Sequence, residues 1–187
     1  IVTFGKNEWR ANRKFSGGGI LLDQGIHLLD LINKFGGKFD KFKSFISNSF
    51  WRYNVEDNAF AIMKNDKNNI IASIHSTATQ WEHKFSLEIT LQKALIILSG
   101  ILSGTKSYGK EKITIIPKPK IKKINKKKIY QFYKDHSWKL EIDEFAKIIN
   151  QNMKIKTGSY QDALNVMRMI DKIYISDVEW YKKFKSK

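Results

Sequence analysis

Between Phe39 and Ile116 the chain runs through short alternating or β-branched segments, FKSFISNSFW, NAFAIMKN, IIASIHSTAT, FSLEITLQ, ALIILSG and KITII, separated by turn-forming stretches such as KNDKNN at 64–69. A period of two sends successive side chains to opposite faces of a sheet, and separators this short leave no room for crossover helices. Five to six strands must therefore pair mainly as hairpins. Helical segments stand only before and after this region. The pattern predicts an α+β fold, a largely antiparallel open sheet of about six strands with helices packed on one face. The strands carry apolar residues on both faces, so the face without helices needs another cover.

The leading helix is the clearest. Three glycines at 17–19 open it, Gly36 and Gly37 close it, and GGGILLDQGIHLLDLINKFGG places Leu21, Leu22, Ile26, Leu28, Leu29, Ile32 and Phe35 around most of its circumference, which predicts a helix buried nearly all round. Two closing helices are expected over about 137–152 and 159–184. Ser137 and Ser159 are their N-caps and Asp162 is an acidic partner for the second. Leu164, Met167, Ile170, Ile173 and Tyr174 recur at helical spacing as a core-facing stripe. The lysine-rich PKPKIKKINKKK at 117–128 is expected to be an exposed loop or edge. The opening IVTF has the pattern of a strand entered midway, as if the chain were cut from a larger protein.

With 187 residues and 42% hydrophobic content, residues 1–187 suit one globular domain. The absence of cysteine excludes a disulfide framework, a thiolate zinc site and a cysteine nucleophile, and fits a cytoplasmic setting. The longest apolar stretches are interrupted by Asp23, His27 and Asp30, or by Ser99 and Gly100, so no membrane span is expected. A formal net charge of +16 invites a nucleic-acid reading. Only four of the 34 basic residues are arginine, at positions 10, 13, 52 and 168, whereas base edges and phosphates are read best by arginine forks. Nucleic acid is therefore not the expected partner.

On a helical wheel Asp23, His27, Asp30 and Lys34 share one narrow polar stripe, at i, i+4, i+7 and i+11. Such a stripe is either a solvent-facing seam or the floor of a cleft. In a cleft, an imidazole with a carboxylate one turn to either side suits proton transfer. One aspartate and one histidine supply two metal ligands where zinc takes three or four, so no metal site is expected. The glycine triplet matches neither the G-x-G-x-x-G nor the G-x-x-x-x-G-K-[ST] phosphate-binding pattern, which leaves tight packing or close approach of a ligand to backbone.

DQGIHLLD, Asp23 to Asp30, resembles the Asp-x-Gly-x-His-x-x-Asp core that follows a glycine-rich turn in the C-terminal domain of the Gfo/Idh/MocA oxidoreductases. WRANRKFSGGG at 9–19, VEDNAF at 55–60, STATQWEHKFSLEI at 76–89, LSGTKSYGKEKIT at 102–114 and SYQDALNVMRMIDKIYIS at 159–176 are similar to other parts of that domain, some to a subgroup linked to surface-saccharide biosynthesis. The resemblance implies hydride transfer between the nicotinamide of NAD or NADP and a sugar or nucleotide-sugar carbon. It implies His27 as acid/base, Asp23 as the group orienting imidazole or sugar, and Trp9, Arg10, Arg13 and Gln24 on the substrate side. It also implies a homodimer or tetramer formed through the open sheet face. The family's Rossmann fingerprint and its Glu-Lys-Pro lysine have no counterpart in this sequence, so the chain is expected to be the C-terminal half alone and inactive by itself. The rival reading is a saccharide- or partner-binding module without catalysis.

Overall fold

The computed structural model describes residues 8–119, 126–156 and 158–185. The opening IVTF and residues 120–125 of the lysine-rich segment lie outside them. In chain order the elements are a short helical turn Trp9–Ala11, α1 (Arg13–Ser16), a π-helical turn Leu21–Gly25 running into α2 (Ile26–Gly36), β1 (Lys41–Ser47), β2 (Asn58–Asn65) and β3 (Ile70–Thr77). There follow β4 (Ser86–Thr90), β5 (Ala94–Ser99), β6 (Lys112–Pro117), β7 (Lys128–Gln131), α3 (Ser137–Asn150), α4 (Tyr160–Ser176) and α5 (Val178–Lys185). The α+β class with antiparallel pairing is as expected. Among the described residues the strands number seven and divide between two sheets, ordered β1-β2-β3 and β4-β5-β6-β7. Ile1–Gln80 with Ile155–Lys187 make one compact unit, and Trp81–Lys154 make a second.

In the first unit every pairing is antiparallel, and register sets Phe45 opposite Phe60 and Phe60 opposite His75. Alternation then separates the faces. Ala59, Ala61, Met63, Ile74 and Ser76 point into the core, while Phe45, Phe60, Ile62, Ile71 and His75 stand exposed on the other side. Helices α2 and α4 pack on each other, α4 lies against β1 and α2 against β3. Leu29, Ile32, Ile170 and Ile173 bring the helical side of that core to nearly complete burial. Removing one such side chain would cost about 2–5 kcal/mol.

Three expectations about this unit are corrected. Helix α2 is buried along one face only, through Leu29, Ile32 and Gly36, while Phe35 is 53% exposed. In α4 the buried set is Val166, Met169, Ile170, Ile173 and Tyr174, so Leu164 and Met167 lie off the core side. The expected single closing helix breaks at Asp177, whose backbone is extended (φ −93, ψ 97). The break has a cause: Asp177 Oδ1 accepts from Trp180 N–H at 2.9 Å and caps α5, and Oδ2 accepts from Ile46 N–H on β1 at 2.7 Å. The Ser159 cap forms as expected, with Asp162 completing a capping box.

The second unit is a four-stranded antiparallel sheet with α3. Its edge strand β7 pairs with β6 and begins at the end of the segment expected to be a loop or edge. Helix α3 starts at Ser137 itself: His136 occupies the cap position, and Ser137 N–H donates to Asp135 Oδ1 at 2.8 Å, a correction to the expected serine cap. Among the described residues no helix is long and apolar enough to cross a membrane.

Candidate functional site

The site is built on the glycine turn. Gly17 ends α1 in the left-handed region (φ 79), where its N–H still reaches Arg13 O at 2.8 Å, a conformation glycine adopts without penalty. Gly18 and Gly19 serve close approach. A Cβ on Gly19 would lie 2.0 Å from Glu56 O, and one on Gly18 would lie 2.3 Å from the Tyr174 hydroxyl. The lead-in to β2 is thus pressed against the turn. Ile20 N–H donates to Glu56 O at 3.1 Å and Leu21 N–H to Glu56 Oε1 at 3.0 Å. These contacts tie down backbone donors that a helix start leaves unpaired.

The first turn of the helix is π-wound through Leu21–Gly25 before α geometry resumes at Ile26. Such local widening recurs at functional sites because it re-aims the side chains it carries. Here it carries Asp23 and Gln24. Asp23 Oδ1 is 3.6 Å from Arg10 Nε, Gln24 Nε2 donates to Asp23 Oδ2 at 3.1 Å, and the Arg10 guanidinium lies 4.5 Å from the Trp9 ring centre. Trp9, Arg10, Asp23 and Gln24 therefore form one cluster at the surface, with His27 exposed one helical turn further along. Asp30 and Lys34 continue the exposed stripe.

Arg13 belongs to a different environment. Its guanidinium sits 5.0 Å from the Tyr174 ring centre and 5.2 Å from that of Phe184, with Nη1 buried and without a hydrogen-bond partner. It packs α1 against α4 and α5 and does not join the Asp23 cluster.

Sequence reasoning placed Tyr174 on the core-facing stripe but missed its pairing with Glu56. Glu56 is 2% exposed, and its Oε1 accepts from Leu21 N–H and from the Tyr174 hydroxyl at 2.7 Å, while Oε2 is buried without a partner. Burial pushes the Glu56 carboxyl above its ordinary range, against the opposing pull of the hydrogen bonds from Tyr174 and the backbone. Burial, reinforced by Glu56, drives the Tyr174 hydroxyl well above its usual range as well. The only sequence signal for Glu56 was an acidic pair in VEDNAF at the entry to a strand.

Chemically, the surface cluster offers a cation, a carboxylate, an amide and an indole face, with an exposed imidazole one helical turn away. Groups of these types are suited to hydrogen-bonding a polyhydroxylated or anionic ligand, and an imidazole to moving a proton at a hydroxyl. Among the described residues no group of three or more metal-ligating side chains converges. The glycine turn does not fit a dinucleotide pyrophosphate either: the space beside Gly18 and Gly19 is filled by Tyr174 and the Glu56 backbone, so no open cradle of amides remains there.

The site is thus a glycine turn leading into a π-started helix on an antiparallel sheet, with an aspartate and a histidine on the outward side of that helix. Residues 3–97 match the GFO/IDH/MocA C-terminal domain family, and the chain belongs to it. The fold is shared with levoglucosan dehydrogenase solved in complex with NADH and levoglucosan, at TM-score 0.73 and 15% identity over 92% of this chain and 52% of that one. An NAD binding oxidoreductase from Klebsiella pneumoniae aligns at TM-score 0.71 and 13% identity, over 91% of this chain and 51% of its own. The WlbA dehydrogenase from Bordetella pertussis, in complex with NADH and UDP-GlcNAcA, aligns at TM-score 0.64 and 17% identity, over 91% and 46%. The chain spans about half the length of these structures. No curated protein matches the sequence.

Proposed function

We propose that this chain is the substrate-side domain of an NAD(P)-dependent oxidoreductase acting at a hydroxyl-bearing carbon of a sugar or nucleotide sugar, in the cytoplasmic construction of surface saccharides. The observation that carries the reading is the grouping of Asp23 and Gln24 on the π turn with Arg10 from the Trp9–Ala11 turn, and with His27 one turn beyond, in a chain of this family. Sugar and nucleotide-sugar ligands named for structures of the same fold support the substrate class.

The dinucleotide, when bound, supplies the hydride acceptor or donor, and we place its binding domain outside these residues. His27 takes the hydroxyl proton as the carbon loses hydride, and returns it in the reverse direction. Asp23 orients the imidazole or the sugar hydroxyl, Gln24 and Arg10 hold oxygens of the substrate, and Trp9 offers a face for a sugar ring. In this reading the chain alone is inactive.

The exposed outer face of β1-β2-β3, with Phe45 81% exposed beside Phe60, Ile62 and Ile71, supports pairing of two copies through that sheet as a homodimer or dimer-based tetramer. A monodisperse monomer at micromolar concentration by light scattering would count against the pairing.

The test of the activity is an assay of the intact protein with NAD or NADP and a panel of sugars and nucleotide sugars, following nicotinamide absorbance. Saturable turnover with at least one member is expected. Saccharide binding without turnover would favour a binding module, and neither binding nor turnover across the panel would remove the saccharide reading.

A further inference from the structure

The best-buried carboxyl in the first unit is not part of the surface cluster. Glu56 lies beneath the glycine turn, and one oxygen, Oε1, accepts both from Leu21 N–H, at the first residue of the π turn, and from the Tyr174 hydroxyl of α4. Its backbone oxygen holds the neighbouring Ile20 N–H, and Ser76 Oγ on β3 donates to Ile20 O at 3.1 Å. Two residues beyond Leu21 stands Asp23, and six beyond stands His27. The turn that presents the cluster is thus fixed from below by a single carboxyl that also grips the closing helix.

We infer that Glu56 is a positioning residue for the Asp23–His27 site, acting through Leu21 N–H and braced by Tyr174. The inference rests on the reading of His27 and Asp23 given above. What Glu56 must supply is an acceptor of the right shape, not a charge. Both donors converge on Oε1 and no cation pairs with the carboxyl among the described residues, so the turn uses one accepting oxygen, which the neutral acid also offers. Arg13 lies over the Tyr174 ring, 5.0 Å from its centre. Tyr174 itself stays a hydroxyl donor, because burial and Glu56 both oppose its ionisation.

Glutamine keeps the accepting oxygen and alanine removes it, which makes the pair of variants a direct test in the intact enzyme. Glu56→Ala is expected to lower kcat per folded molecule by about a hundredfold with little change in KM, the size of effect that a misplaced reacting group produces. Glu56→Gln should restore kcat to within about threefold of wild type, and Tyr174→Phe, which removes the brace and leaves the acceptor, should fall between them. Hydrogen exchange of the Leu21 amide gives a readout independent of activity: about tenfold faster in Glu56→Ala and near wild type in Glu56→Gln. If the enzyme reading fails, wild type shows no turnover while the Leu21 pattern persists. If Glu56→Ala does not fold, Glu56→Gln and Tyr174→Phe carry the comparison. Equal losses in the Gln and Ala variants, loss of Leu21 protection in Glu56→Gln, or unchanged kcat and Leu21 protection in Glu56→Ala would each overturn the inference.

Discussion

Gly19→Ala tests the architecture of the turn at the point where it has least slack. The added methyl would sit 2.0 Å from Glu56 O, 2.8 Å from Glu56 N and 2.9 Å from Glu56 C, all backbone atoms that no rotamer change can move aside. Relief requires the turn and the β2 lead-in to separate, which strains the Ile20 and Leu21 hydrogen bonds to Glu56. Overpacking of this kind costs about 1–3 kcal/mol, and two weakened buried hydrogen bonds add about 1 kcal/mol each. Alanine offsets less than about 1 kcal/mol of this by restricting the unfolded chain. The net is a loss of about 3 kcal/mol. With a urea slope of about 2 kcal/mol per molar, the unfolding midpoint followed by tryptophan fluorescence should fall by about 1.5 M. Gly104→Ala is the control, because a Cβ there meets nothing within 4 Å, and its midpoint should stay level or rise slightly. A Gly19→Ala midpoint equal to wild type would refute the packing argument for the turn.

Two further outcomes follow from the buried groups. Because burial raises the native pKa of Glu56 above its ordinary 4.5, its contribution to stability is full below that value and is lost as pH rises through the native one. Glu56→Gln should therefore gain on wild type across that window by up to about 1.4 kcal/mol per pH unit in urea titrations, and a pH-independent difference would contradict it. Asp177→Ala removes the acceptor shared by Trp180 N–H and Ile46 N–H and should cost about 2 kcal/mol, seen as a lower melting temperature; an unchanged melt would show that the helix break is set elsewhere.

What could be seen in the sequence was local. The glycine-framed helix, the Ser159 capping box with Asp162 and the strand alternation follow from neighbours a few residues apart, and the structure carries them. Features fixed by distant partners could not be seen. The break at Asp177 depends on Ile46, 131 residues away, and the burial of Glu56 depends on Tyr174, 118 residues away. The phase of α4 also escaped, because Leu164 and Met167 are as apolar as the Val166 and Met169 that the core takes. The cluster of Arg10, Asp23 and Gln24 was legible as residue types and not as a contact, since the π turn that aims Asp23 and Gln24 has no sequence signature of its own. Arg13 shares a short segment with Arg10, and only packing shows that it turns to the rings of Tyr174 and Phe184.

The central claim is that His27 moves the substrate proton. Single-turnover hydride transfer in the intact enzyme, with substrate and cofactor saturating, measures that step directly. His27→Ala should slow it by about a hundred- to ten-thousand-fold while substrate affinity changes little, the contribution expected of a general acid/base. Asp23→Asn should cost less if it only orients the imidazole, and comparably if it holds the sugar oxygen itself. Hydride transfer at near-normal rate in His27→Ala would contradict the account and move the proton-transfer role to a residue outside this chain.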